Sequence, residues 1–473
     1  METHCNTNPV QFHPHFERNV IGKFDGGRIT SDGGGLLLRE VEQRAKIIKQ
    51  FADCFTDYRS PLLTEHSVEN LLAQRIYALA LGYEDLNDHD ELRNDAALAV
   101  LVGKEDPEGK KRFHRRDHGK ALAGKSTLNR LELGRAGIMP GKNSYKKIII
   151  EPEKAEHYFV DMFLQAHNTP PAEIILDLDA TDDPLHGNQE GRFFHGYYKG
   201  YCYLPLYIFC GEFLLCAKLR PSNIDAAAGS VEELERIVSQ IHEQWPAVKI
   251  TIRADSGFCR EPIMAWCEQH QVDYVLGLAK NSRLKAAIIE ELEQAKKQHE
   301  ETQKAARVFK DFSYQTLDSW TRQRRVIGKA EHLSGGANPR FVVTSLNVEK
   351  WGAQALYEKL YCARGDMENR IKEQQLYLFA DRTSTHYMGS NQIRLWLSSV
   401  AYVLMQALRR MGLKGTELAK AQCHTIRLKL LKVGAIVRIT VRKIWVSFSE
   451  AYPYADIFRR VIANIRQWRP LRC

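Results

Sequence analysis

The chain has 473 residues, 44% of them hydrophobic, with 67 Lys+Arg against 58 Asp+Glu and a formal net charge of +9. This size and composition exclude a disordered tail, a collagen-like repeat and a small disulfide scaffold, and supply apolar surface for two or three cored units. No apolar run approaches the roughly 18–20 residues of a membrane span, and the opening METHCNTNPVQFHPHFERN lacks an apolar h-region and a small-residue cleavage site, so a cytoplasmic protein without a membrane partner is expected.

The first 102 residues carry net −6, and their turn-rich Gly26–Gly35 is followed by helical apolar spacing at 36–51, 65–81 and 87–102. Residues 103–150 carry net +8, including Lys110-Lys111-Arg112-Phe113-His114-Arg115-Arg116. Residues 1–150 therefore read as a helical, basic nucleic-acid-binding region. After Pro170-Pro171 the pattern changes. Residues 173–179 form an apolar strand ending in carboxylates, and β-rich runs follow at 193–201 and 203–219. A helix over 230–244, a strand over 248–255, a helix over 262–270, a strand over 272–278 and a long charged helix over 282–306 complete an α/β order. Residues 307–346 turn β-like, as an insertion, before helices at 351–375 and 392–411. The expected division is 1–150, 170–306, 307–346, 347–411 and a basic C-terminal region 412–473. Charge in the middle, 151–393, is net −6, and in 394–473 it is net +13. Two basic blocks around an acidic centre favour a polyanion partner.

The ten cysteines form no C-x-x-C pair, and His13 and His15 lack metal-ligand partners in sequence; neither set is assigned a role. Gly119–Ser126 (GKALAGKS) matches a P-loop pattern, but the basic stretch before it is no buried strand, so it reads as a decoy. Asp177-Leu178-Asp179-Ala180-Thr181 matches the D-x-D-x-T pattern of haloacid-dehalogenase-like phosphatases, with Asp177 as nucleophile, although that family's closing acidic motif is missing. A Ca²⁺ loop fails because Asp182 stands where the turn needs Gly. A third reading gathers carboxylates from separate elements: Asp179 and Asp255 at strand ends, and Glu368 from a helix that also carries Tyr361 and Arg364 on one face. Two divalent ions ~3.5–4 Å apart require such bridging carboxylates for phosphoryl chemistry.

At these residues the sequence resembles the DDE transposases of bacterial insertion sequences, in the branch with a Tyr-x2-Arg-x3-Glu-x6-Lys signature, and most of all the insertion-sequence-1380 family. The resemblance includes Thr30–Leu37, Leu81–His89, Asp177–Thr181, His186–Glu190 and Ile252–Phe258. It implies an RNase H-like, retroviral-integrase-like core with a β-rich insertion and a helical N-terminal DNA-binding region. Asp179, Asp255 and Glu368 would be the catalytic triad, holding two Mg²⁺, with Mn²⁺ as substitute. Tyr361 and Arg364 carry over as supporting residues; the signature Lys falls on Gln375, and Lys372, about 20° from Tyr361 around an ideal helix, is the stand-in. The implied activity is cleavage of terminal inverted repeats in double-stranded DNA and joining of 3′-hydroxyl ends to target DNA by a synaptic homodimer in the bacterial nucleoid. Candidate DNA contacts are Arg112, Arg115, Arg116, Lys125, Arg130, Arg324 and Arg325, with Trp320, flanked by Arg322, Arg324 and Arg325, as a base-stacking surface. The alternatives are the phosphatase using Asp177 and a domesticated DNA-binding protein.

Overall fold

The computed structural model describes residues 9–135 and 146–468. The first eight residues, the stretch 136–145 of the basic block and the last five lie outside the described residues. Contacts divide the chain into two units: 9–149 together with 400–468, and 150–399. The N- and C-terminal basic blocks, expected as separate regions, thus belong to one unit. Among the described residues, no helix is long and apolar enough to cross a membrane.

Of the helices expected in the first unit, 65–81 forms as Val68–Leu81, while 36–51 and 87–102 each break in two, the latter into His89–Leu92 and Ala96–Val102. The 36–51 pattern breaks at Lys46, which adopts a left-handed conformation at φ 54°. The buried Glu42 carboxylate accepts the amides of Ile48 and Lys49 and so starts the second piece. Ser67 caps Val68–Leu81 by accepting the Asn70 amide, and Asp95 caps Ala96–Val102 by accepting the Leu98 amide. The glycine run Gly33-Gly34-Gly35 has a packing cause: a Cβ on Gly34 would overlap the Leu430 carbonyl oxygen. The Gly33 amide also donates to the Val433 carbonyl, and Lys432 pairs with buried Asp32. The C-terminal chain is therefore seated directly on this motif, and Ala435–Ile439 pairs with Ile29–Thr30.

The second unit is built on a mixed sheet with nine strands among the described residues. In chain order these are β1 Glu173–Ala180, β2 Leu206–Cys210, β3 Phe213–Lys218, β4 Lys249–Ala254, β5 Asp273–Leu278, β6 Ala306–Tyr314, β7 Arg324–Leu333, β8 Gly336–Ala337 and β9 Arg340–Thr344. Their spatial order is β3-β2-β1-β4-β5-β9-β7-β6, with β8 paired to β7. β1 pairs parallel with β4, and β4 with β5, while β2 runs antiparallel to β1. The helices Ser230–Gln244 and Glu261–Gln269 supply the crossovers that parallel pairing requires. Segment 307–346, expected as an insertion, continues this sheet edge-on: β9 pairs with β5, then β7 with β9 and β6 with β7. Apolar residues of β1, β4 and β5 alternate into the core beneath the two crossover helices.

Two expected helices of the second unit are interrupted as well. The 282–306 pattern breaks at Ile288 into Ser282–Ala287 and Ile289–Thr302. Residues 351–375 divide further: a π-helical turn Leu356–Tyr361, a 3₁₀ turn Cys362–Arg364 and the helix Gly365–Leu378. Tyr361, Arg364 and Glu368 therefore do not share one regular helix, and ideal angular spacing does not carry across them.

Candidate active site

The strand register brings the first two acids together. Ala254 of β4 lies opposite Leu178 of β1, so Asp179 and Asp255 follow at the same end of adjacent parallel strands. The order of strands reverses between β1 and β4, so this carboxyl end is where an open α/β sheet leaves a crevice. Asp255 is fixed by its own turn, its carboxylate accepting the Gly257 amide at 2.7 Å. The third acid comes from the irregular helix. Arg364 donates from Nη2 to Glu368 Oε1 at 2.7 Å, and its Nη1 lies 3.7 Å from Asp179 Oδ2. The guanidinium thus ties the helix carboxylate to the strand carboxylate.

Burial pushes the Asp179 carboxyl up to about 7, against the pull of Arg364, with the charges of Asp255 and Glu368 adding to the rise. Desolvation and like-charge repulsion both disfavour the anion here. Among the described residues, no three Asp, Glu, His or Cys side chains are gathered tightly enough to hold a metal ion as they stand. The donor set itself, carboxylate oxygens without nitrogen or sulfur, fits a hard divalent cation such as Mg²⁺ or Mn²⁺.

This carboxyl leads to a testable pH dependence. The folded state of the metal-free protein binds a proton that the unfolded chain releases near the ordinary carboxylate value, so stability falls as pH rises from about 4 to 7. Urea denaturation in EDTA should show that slope, and Asp179→Asn should flatten it.

Tyr361 packs its phenol against the same floor. A Cβ at Gly277 of β5 would lie 2.5 Å from the Tyr361 hydroxyl and 2.9 Å from the Ser256 amide. Glycine there lets β5, the Asp255 turn and Tyr361 meet. Gly277→Ala should shift the Asp255 turn and lower DNA cleavage at least tenfold, with a fold still cooperative by circular dichroism.

Asp177 and Asp179 lie two residues apart on β1, hence on one face, but their surroundings differ. Asp177 is buried and pairs with Arg253 through two bonds of 2.5 and 2.8 Å, while Arg253 also donates to the Leu360 carbonyl. A carboxylate locked this way is not poised as the phosphatase nucleophile. Arg253 was not singled out from sequence, though its place two residues before Asp255 puts it on the same face of β4. Lys372 is exposed, whereas Gln375 donates to the Asp182 carbonyl at 3.0 Å and packs the helix against the chain after β1.

The sequence-predicted DNA contacts separate into two groups. Trp320 is 6% exposed, edge-on to Tyr314 in the sheet's core, and does not present a free stacking surface. Arg324, its side chain 2% exposed, is held by Glu261 and Glu268, and Arg325 by Asp311 and the carbonyls of Leu346 and Trp351. These three serve packing. Arg112 is likewise held by Glu65 and the carbonyls of Lys120 and Leu122. Arg115, Arg116, Lys125 and Arg130 lie on the surface of the first unit. No strand leads directly into Gly119–Ser126; residues 115–117 form a 3₁₀ turn, and the P-loop geometry is absent there.

No curated protein matches the chain. Among solved structures it is similar to a piggyBac transposase in a synaptic complex with hairpin DNA, at 12% identity and a TM-score of 0.40, covering 93% of this chain and 86% of that one. The family model described as transposase DDE domain, group 1, matches residues 12–470, and the chain belongs to this family of DDE transposase enzymes.

Proposed function

We propose that this protein binds the terminal inverted repeats of an insertion sequence, cleaves phosphodiester bonds there and joins the freed 3′-hydroxyls to target DNA. The observation that carries this reading is the β1–β4 register, which sets Asp179 beside Asp255 while Arg364 ties Glu368 to Asp179. The 3-2-1-4-5 order of β1 to β5, with β2 antiparallel, supports an RNase H-like core. DDE transposases use divalent metal ions; Asp179, Asp255 and Glu368 would hold two Mg²⁺ here, which when bound would activate the attacking oxygen and stabilise the leaving one.

The chain's own residues do the rest. Asp179 retains a proton near neutral pH until a compensating cation makes its ionisation favourable. Arg364 places a permanent positive charge at the triad, where a guanidinium can receive a phosphate oxygen. Tyr361, between Gly277 and Arg364, bounds the site on the β5 side. Synapsis of two ends calls for a homodimer, and the resemblance of the motifs from Thr30–Leu37 to Ile252–Phe258 supports a reading in the insertion-sequence-1380 branch of a bacterial element.

The test is a plasmid bearing the gene's flanking inverted repeats, incubated with purified protein and Mg²⁺ or Mn²⁺. Metal-dependent cleavage at the repeat ends and joining to a second plasmid are expected. Sequence-specific binding with no nicking under any divalent ion would favour the domesticated DNA-binding protein.

A further inference from the structure

Beyond Asp179 the chain enters a small three-stranded sheet, Asp183–Pro184, Phe193–His195 and Gly200–Tyr203, in the same unit as the acids. Cys202 and Tyr203 of its central strand are buried, and the Ser222 hydroxyl donates to the Phe193 carbonyl at 3.0 Å, so the hairpin has a fixed base. Its most exposed large side chains are aromatic. Tyr197 is 83% and Phe194 59% exposed, and Phe193 and Tyr201 are exposed too. Residues 186–201 hold five Phe and Tyr and not one Ala, Val, Ile, Leu or Met. The aliphatic side chains that dominate packed cores are missing, and ring faces remain.

The rings are held in place. Phe194 and Tyr201 lie opposite each other across the two strands, edge to face with centroids 5.7 Å apart. The Arg192 guanidinium, fixed by the Gly187 carbonyl and Asn188 Oδ1 at 2.7 Å each, lies 3.8 Å over the Tyr201 ring. At the turn, Tyr197 is edge-on to Tyr198, centroids 5.0 Å apart. On the same turn exposed Lys199 takes a left-handed backbone at φ 53°, which glycine or asparagine adopts more readily. The one carboxylate of residues 186–201, Glu190, accepts the Met388 amide. Ordered, exposed rings with cations among them suit the faces and phosphates of nucleotides.

Position supplies a second, independent argument. The Tyr198 hydroxyl donates to the Ala180 carbonyl at 3.4 Å, and the Ala180 amide donates to the Asp179 carboxylate at 2.9 Å. A single residue, Ala180, therefore links the aromatic turn to the first acid. A DNA strand with a phosphate at Asp179 has its adjoining nucleotides within reach of this turn.

We propose that the 193–201 hairpin is a stacking site for unpaired bases of the DNA strand beside the scissile phosphate. Tyr197 and Phe194 supply the ring faces, Lys199 contacts the backbone, and Tyr198 positions the turn on Ala180. Placement beside the scissile phosphate rests on the transposase reading; the stacking of unpaired bases does not.

The test titrates the full chain, without divalent ions, with two repeat-end duplexes. One is fully paired; the other has unpaired bases at the cleavage point, one of them 2-aminopurine. The wild type should bind the unpaired duplex about tenfold more tightly and quench the aminopurine, as stacking on an aromatic ring does. Tyr197→Ala and Phe194→Ala, both at exposed positions, should each remove most of that preference and of the quenching. Tyr197→Trp should keep them, whereas Tyr197→Leu, which leaves apolar contact but no ring face, should not. Preference and quenching unchanged in both alanine variants would overturn the site. Equal weakening on both duplexes would overturn the base assignment in favour of the duplex backbone. Tyr197→Leu behaving as wild type, or alanine variants of lower mass by light scattering, would overturn it in favour of a protein contact. Failure of the transposase reading is separate: cleavage then survives Asp179→Asn while the aminopurine signal still depends on Tyr197.

Discussion

Asp179→Asn should abolish metal-dependent cleavage of inverted-repeat DNA, by at least ~10³-fold, equivalent to about 4 kcal/mol of transition-state stabilisation. The same substitution should make the metal-free protein more stable at pH 8. Both outcomes have one cause: the fold holds a carboxylate where burial and two neighbouring acids oppose its charge, and a neutral amide removes that cost along with the proposed metal ligand. A residue kept against stability at a shared strand end is the usual mark of function. Asp255→Asn and Glu368→Gln should match the loss of cleavage, and duplex binding should persist in all three. Endonuclease assays and urea denaturation in EDTA check the two halves. Cleavage retained in Asp179→Asn but lost in Asp177→Asn would reverse the assignment in favour of the phosphatase-like site.

The second large effect is expected at the pair beneath the triad. Arg253→Ala or Asp177→Ala should each cost about 3–5 kcal/mol, because each strands an uncompensated charge in the sheet's interior. Asp177 and Arg253 meet across adjacent strands, and Arg253 also carries the Leu360 carbonyl of the π-helical turn. The pair therefore couples β1, β4 and the element that delivers Arg364 and Glu368. The double alanine variant should lose less than the sum of the singles, since neither charge is then left alone. The transition of the 150–399 unit in a urea titration measures this. Loss of stability within 1 kcal/mol for both single variants would mean that the pair is not the anchor of the triad's floor.

Much of the candidate site was legible because catalytic carboxylates sit at strand ends, and strand ends are marked locally. Glu173–Asp179 and Val248–Asp255 are short apolar runs closing on an acid, and both are strands in the structure. The third acid was legible only as a motif. Its regular-helix placement failed because Leu356–Arg364 winds as π and 3₁₀ turns, with Arg253 holding the Leu360 carbonyl, a contact between residues 107 positions apart. Trp320 shows the converse: an aromatic among arginines suggests base stacking, yet Glu261 and Glu268, distant in sequence, neutralise Arg324 and the ring fills the core. The segment 307–346 likewise looks autonomous by pattern, and only pairing between β5 and β9 shows that it extends the sheet.

The net +9 of the composition resolves along the chain into blocks of −6, +8, −6 and +13, and the sequence by itself determined those blocks, the α/β alternation and the identity of the candidate acids. These depend on local periodicity and on which residue closes a strand, quantities carried by neighbours in the chain. Tertiary structure alone decided that the two basic blocks share one unit, because Gly33 and Gly34 admit the 430–433 backbone. It also decided which cations remain for DNA, because an arginine's availability depends on carboxylates that folding brings to it from elsewhere in the sequence.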